Sequence, residues 1–446
     1  DNVISGNDGA NALSGGNGRD TLLGGRGDDR YTLAGNGNGD VEDTVVEAAG
    51  EGDDSVIVEN WFYTLPANVE NLTASGLGYY FSLVVDPVDP VFGWSSRPDP
   101  YTIRAHFQGN DGDNRIEAGV VSLYRTGDAN RRRNILIDGG AGADVLTGSL
   151  ANDTYVIDHA GDRIVEPGAF DDGTQISAGD GIVTPFTVSL LTDQPDIERV
   201  ELAGTQPVAA EGNAADNVLI ASGNPAANVL RGGAGNDVYV VDENDVVEEQ
   251  AGGGVDTMFI DVEEGARTRT TYGLAQYAHV ENLAITGRSG SAVLLGDAGD
   301  NELTGAGGSA AAGLRDDRLE GGAGNDVLRD AWLQDFGYLS YDADELLGGD
   351  GDDRLESEWG HDTLDGGAGD DVVRLGADSE GSVVFGVGYD AETVERASGR
   401  QKHVRWTAAT DLADLRLAQA GRDAVITLQG HDDTLTLREF FDAGGA

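Results

Sequence analysis

Large apolar residues recur along this chain at intervals of nine, each flanked by polar residues and preceded by a glycine-rich hexapeptide. Gly15-Gly16-Asn17-Gly18-Arg19-Asp20-Thr21-Leu22-Leu23 runs straight into Gly24-Gly25-Arg26-Gly27-Asp28-Asp29-Arg30-Tyr31-Thr32. The template is G-G-x-G-x-D-x-U-x, with U large and apolar. Its last three residues predict a short strand whose middle side chain points inward. Its first six predict a turn in which glycine lets the backbone enter positive φ and crowd a ligand. Turns at a fixed spacing predict stacked coils. One coil buries too little surface alone, so several must stack together.

The sixth position of the template recurs in five blocks. The first has Asn2, Asn11, Asp20 and Asp29; the second has Asn114, Asn134, Asp144 and Asp153. The third has Asn217, Asn228 and Asp237; the fourth has Asn301, Asp317 and Asp326. The fifth has Asp344, Asp353, Asp362 and Asp371. Two places later stand Ile4, Leu13, Leu22, Tyr31, Ile116, Leu136, Leu146, Tyr155, Leu219, Leu230, Tyr239, Leu303, Leu319, Leu328, Leu346, Leu355, Leu364 and Val373. Every one is large and apolar or aromatic, which chance glycine richness would not produce. Asp1 and Asn2 fall at positions five and six of a turn, so the sequence begins inside a repeat and reads as part of something longer.

A second, longer repeat follows Tyr31, Tyr155 and Tyr239. It runs through Val45-Val46-Glu47, Asp54-Ser55-Val56 and Val69-Glu70-Asn71-Leu72 in the first copy. The second copy has Asp162-Arg163-Ile164-Val165-Glu166, Asp180 and Ile197-Glu198-Arg199-Val200. The third has Asp245-Val246-Val247-Glu248, Asp256-Thr257-Met258 and Val280-Glu281-Asn282-Leu283. The distance from Tyr to the final Glu is 39, 43 and 42 residues. Apolar and polar residues alternate between turn signals, so these segments predict short strands that continue the coil with wider turns. The fold class expected is all-β: a parallel β-roll or β-solenoid with wider strand-rich turns and loop inserts.

Charge adds a requirement. Acidic residues number 80 and basic residues 28, for a net charge of −52. Such a chain repels itself unless something cationic neutralises it. At 39% hydrophobic it is too apolar for a disordered acidic tail. An excess of hard oxygen ligands points to calcium. The sign of the field argues against a nucleic-acid partner. There is no Cys, which excludes disulfides and thiolate metal sites. No apolar run is long enough to span a membrane as a helix.

The candidate calcium ligands are the carboxylates of Asp20, Asp29, Asp144, Asp153, Asp237, Asp317, Asp326, Asp344, Asp353, Asp362 and Asp371, with Asn11 and Asn228 as neutral additions. Backbone carbonyls of the turn would complete the shell, around Gly16, Gly18, Gly25, Gly27, Gly140, Gly142, Gly233, Gly235, Gly322, Gly324, Gly349, Gly351, Gly367 and Gly369. Asn brings no charge, so Asn turns are expected to be weak or empty spacers. The all-Asp fifth block is expected to bind best.

Together the nonapeptides, the Tyr-to-V-E-N-L segments and the tail from Val383 to Phe441 resemble the RTX family of haemolysin-type calcium-binding proteins. The resemblance implies export of an unfolded chain through a type I channel, folding on calcium outside the cell, and a secreted or bacterial cell-surface location. Ala151, Ala215 and Ala226 stand where the motif has its fourth-position glycine.

The expected organisation is block 1 with its extended segment (1–76), an aromatic and Pro-rich insert (77–108), block 2 (109–204), block 3 (205–295), blocks 4 and 5 (296–375) and a C-terminal β domain (376–446). The first insert suits either a cap over an open roll edge or a partner contact. The second, 118–133, carries Arg131-Arg132-Arg133, which suits local pairing with Asp or a contact with an acidic roll of another subunit. The third, 329–343, is similarly apolar. Self-association through these inserts is the partner expectation besides calcium.

No enzyme is expected. The six His include no H-E-x-x-H pair, and His361 falls at position five of a turn. Neither a G-x-S-x-G elbow nor a phosphate-binding G-x-x-x-x-G-K-[ST] loop occurs. The function expected is a secreted structural or adhesive module, as in a surface layer, filament or biofilm matrix. The alternative is the folding and export portion of a larger secreted enzyme or toxin.

Overall fold

In a computed structural model the chain forms two compact units, Asp1–Gly232 and Gly233–Ala446. The structure describes residues 1–34, 41–59, 62–74, 105–118, 135–149, 153–166, 180–191, 197–261, 270–286, 291–305, 316–330, 343–357, 360–376, 380–395 and 403–441. Most of each insert, including Arg131 to Arg133, lies outside the described residues, as does Asn134. Among the described residues no helix is long and apolar enough to cross a membrane.

In the first unit Val3–Ser5 pairs in parallel with Thr21–Leu23, which pairs with Thr44–Val46. Val3 stands opposite Thr21, so one coil is two nonapeptides. A second parallel sheet stacks Ala12–Leu13, Arg30–Ala34, Ser55–Glu59, Asn71–Ala74, Arg115–Ala118, Val145–Thr147 and Arg163–Val165. The long segment after Tyr31 supplies strands to both, with Val45, Val56, Leu65, Val69 and Leu72 buried. It therefore continues the coil.

In the second unit Val238–Val241, Thr257–Asp261, Asn282–Thr286, Glu302–Thr304, Val327–Arg329, Arg354–Ser357, Val372–Leu375 and Ala391–Glu395 pair successively in parallel. A second column runs from Thr270–Gly273 to His403–Trp406. The coil thus outlasts the last nonapeptide. Antiparallel pairing begins only at the hairpin Leu415–Ala420 with Asp423–Leu428, onto which Thr434–Leu437 folds back. Among the described residues the parallel coil runs on to Trp406, within residues 376–446.

The ladder of inward side chains is the core. All the expected positions are buried except Ile4, which is partly covered, and Leu136. At Leu136 the faces are exchanged: Ile135 and Ile137 are buried, with Ile137 in register with Phe107 and Tyr155. Ile135-Leu136-Ile137 is apolar throughout, so its own pattern does not choose a face. The register of neighbouring strands does, and a slip of one residue inverts every side chain.

Candidate metal centre

The sixth-position aspartates do not face water. Asp20, Asp29, Asp144, Asp153, Asp237, Asp317, Asp326, Asp344, Asp353, Asp362 and Asp371 are all buried. Each stands just before a strand, or at Asp153 begins one, whose inward residue fixes it against the core. Burying a carboxylate is costly unless it is paired. Backbone geometry supplies half of that pairing. In the second unit Asn301 N–H donates to Asp326 Oδ1 at 2.8 Å, Asp326 N–H to Asp353 Oδ1 at 2.7 Å and Asp353 N–H to Asp371 Oδ1 at 2.8 Å. A parallel column links Asp317 to Asp344 at 2.6 Å and Asp344 to Asp362 at 2.9 Å. In the first unit Asn2 N–H donates to Asp20, Asn11 N–H to Asp29 and Asn114 N–H to Asp144.

The other oxygen is left over. Oδ2 of Asp20, Asp29, Asp54, Asp144, Asp326, Asp353 and Asp371 is buried with no hydrogen-bond partner. Burial pushes Asp326 up to about 6, and Asp144 and Asp353 up to about 7. A dry, unpartnered carboxylate oxygen is a cation ligand in waiting. The glycines make room for it. Oδ2 of Asp326, Asp353 and Asp371 occupies the space that a Cβ would need at Gly321, Gly348 and Gly366. The second and fourth glycines serve backbone shape instead: Gly16, Gly18, Gly25, Gly27, Gly140, Gly142, Gly233, Gly235, Gly322, Gly324, Gly349, Gly351, Gly367 and Gly369 all have positive φ.

The aspartates are not equivalent. Asp362 Oδ2 accepts from the Ser357 hydroxyl, because Ser stands where this turn would have its first glycine. Asp153 Oδ2 likewise accepts from Ser149 N–H at 2.5 Å. The fifth block is therefore less uniform than its all-Asp pattern predicts.

Asn turns are closed differently. Asn11, Asn114, Asn217 and Asn301 each accept from a backbone N–H four residues earlier, at 2.6–2.8 Å. Asn228 accepts from Val208 N–H, and its amide nitrogen donates to the carbonyls of Asn224 at 3.1 Å and Ala226 at 2.8 Å. An amide N–H₂ takes up the carbonyls of its own turn, where a cation would otherwise be needed. At Asn228 this is the arrangement of a spacer turn.

Sequence reading missed acids outside the nonapeptides. Asp20 N–H donates to Asp43, Asp29 N–H to Asp54, Asp144 N–H to Asp162 and Asp153 N–H to Asp180. Asp54, Asp180 and Asp256 donate in turn to Glu70, Glu198 and Glu281. Glu392 extends the second-unit column: it stands one residue before Thr393, which is in register with Val372, and its carboxyl is buried against Asp371. The available signal was an acid two places before a buried apolar residue, with or without glycine before it.

The family model of the RTX calcium-binding nonapeptide repeat matches residues 1–31, 136–156, 211–245, 311–330 and 338–373. The chain carries RTX calcium-binding repeats. Repeats of this kind bind calcium, and the buried Asp oxygens fit a hard cation. Among solved structures, the extracellular lipase LipA from Serratia marcescens is similar at 17% identity over 58% of this chain, with a TM-score of 0.18. The match spans 42% of the lipase chain. No curated protein matches this chain.

Three clusters complete the site. The carboxylates of Asp29, Glu47 and Asp54, of Asp153, Glu166 and Asp180, and of Asp237, Glu249 and Asp256 each bring oxygens within 4.8 Å of one another. In each, a tyrosine hydroxyl donates to the glutamate: Tyr31 to Glu47, Tyr155 to Glu166 and Tyr239 to Glu249. The third copy uses Glu249 and not Glu248, because Val247 is the buried strand residue and the glutamate lies two places on.

Proposed function

We propose that calcium folds this chain outside the cell and that the folded roll acts as a structural or adhesive module of a secreted protein. The observation that carries the calcium step is the column of buried aspartates with one oxygen held by backbone and the other unpartnered. Without a cation each such oxygen opposes folding. With one, binding free energy becomes folding free energy. Extracellular calcium modules work at a Kd of about 10⁻⁴–10⁻³ M, so a chain of this kind stays open where calcium is scarce and folds where it is plentiful. That scheme suits type I export. The adhesive role rests on the length of the repeat array and on the aromatic and Arg-rich inserts. The same folding step would also serve the export portion of a larger secreted enzyme.

Far-ultraviolet circular dichroism of the chelated and calcium-loaded chain tests the folding step. A strand signal that appears only with calcium is expected; a chelated sample with its full signal refutes it. Electron microscopy in calcium tests the module: ordered arrays favour the structural role, and isolated particles favour the export role. Replacing Arg131, Arg132 and Arg133 with Glu is expected to weaken any assembly.

A further inference from the structure

We propose that each of the first three repeat blocks closes on a second kind of calcium site, in which a glutamate from a wider turn joins two ladder aspartates. The sites are Glu47 with Asp29 and Asp54, Glu166 with Asp153 and Asp180, and Glu249 with Asp237 and Asp256. The inference rests on the calcium reading above and adds ligands that the nonapeptide template does not contain.

In the first copy all three carboxylates are buried. Asp29 is 1% exposed, Glu47 8% and Asp54 1%. Asp29 Oδ2, Glu47 Oε2 and Asp54 Oδ2 have no hydrogen-bond partner. Three buried carboxylates with oxygens within 4.8 Å of one another repel strongly, and among the described residues no basic side chain pairs with them. A divalent cation resolves the repulsion and supplies the missing partner to all three.

The tyrosine explains why the glutamate is held there. The Tyr31 hydroxyl donates to Glu47 Oε1, which fixes the carboxylate and leaves Oε2 for an ion. Asp29 Oδ2, the Tyr31 hydroxyl and Glu47 Oε1 all converge on the space where Gly24 lacks a Cβ. Asp153 Oδ2, which also accepts from Ser149 N–H, converges with the Tyr155 hydroxyl and Glu166 Oε1 on Gly148. A partner that orients a ligand in this way is the usual companion of a metal site. A third carboxylate raises the ligand charge above that of a two-aspartate site, so these sites are expected to bind calcium more tightly.

The test combines Glu47→Gln, Glu166→Gln and Glu249→Gln. Gln keeps the shape and still accepts from tyrosine but removes the charge. Bound calcium per folded chain is measured by equilibrium dialysis and elemental analysis across a calcium titration. Loss of three ions, or an affinity of the tightest class weakened about tenfold or more, is expected. A variant that matches the parent in both count and affinity overturns it. If the triple variant does not fold, the single Glu47→Gln is read in its place. It must lose one ion or weaken that class, and a folded single variant with the parent's binding overturns the proposal. A parent that binds no calcium sinks the calcium reading itself, which is a different outcome.

Discussion

The backbone N–H of Asp353 donates to Oδ1 of Asp371 at 2.8 Å, across one coil of the roll, while Oδ2 of both residues has no partner. One carboxylate thus has two duties: one oxygen holds the next coil in register and the other is available to an ion. The duties can be separated by substitution.

Asp371→Asn keeps an acceptor for Asp353 N–H but removes the charge and offers an amide N–H₂ in its place, as Asn228 does. Calcium affinity at the affected sites is expected to fall at least about tenfold. Asp371→Ala loses the acceptor as well, which costs about a further 1–3 kcal/mol. Calcium titrations followed by circular dichroism, with denaturant unfolding in saturating calcium, check both. Equal effects would mean that the hydrogen bond contributes nothing.

Two glycines of the second unit share positive φ but differ in surroundings. Gly421 has φ +68 and open space where a Cβ would be. Gly351 has φ +135, and a Cβ there would drive into the backbone carbonyl of Gly324. Gly421→Ala is expected to cost about 1–2 kcal/mol, from the left-handed backbone alone. Gly351→Ala should cost clearly more, because the stacked turn must shift. Denaturant unfolding in calcium ranks them, and a smaller cost at Gly351 would contradict the close stacking of the turns.

Acid should favour the calcium-free roll. Burial raises Asp54 and Asp326 to about 6 and Asp144, Asp153 and Asp353 to about 7, above their unfolded range near pH 4. The folded state then binds more protons than the unfolded one. Its stability is greatest below about pH 4 and declines as pH rises to about 7. Calcium competes with those protons, so its affinity should rise over the same window. Circular dichroism in chelator at about pH 4 and about pH 7.5, one at each end of the window, should give the stronger strand signal in acid. A signal that grows with pH in chelator would contradict this.

Asp433 has a purely structural task. Its Oδ1 accepts from Gly388, Tyr389 and Asp390 N–H at 3.0, 3.0 and 3.1 Å. Asp433→Ala should destabilise this turn by about 2–3 kcal/mol and speed amide exchange at residues 388–390. The number of calcium ions bound should not change. A loss of bound calcium would assign Asp433 to the metal machinery.

The coil was legible because its period is short and strict: Leu22, Leu146, Leu319 and Leu364 are buried where the pattern puts them. The face of Leu136 was not, because three consecutive apolar residues carry no period. The ladder aspartates were legible through their glycines. Glu47, Asp54 and Glu392 were not, since wide turns reach the same position without glycine and only stacking brings them beside Asp29 and Asp371. The choice of Glu249 over Glu248 depends on which of Val246 and Val247 turns inward. Asn228 was ambiguous because an amide offers both an acceptor, as a ligand would, and the donor that substitutes for the ion.

The most direct test of the central claim is a calcium-loaded crystal structure with anomalous scattering from the ions. Peaks are expected beside Oδ2 of Asp326, Asp353 and Asp371, and none between the amide of Asn228 and the carbonyls of Asn224 and Ala226. Calcium at the Asn228 turn, or empty positions beside the three aspartates, would contradict it.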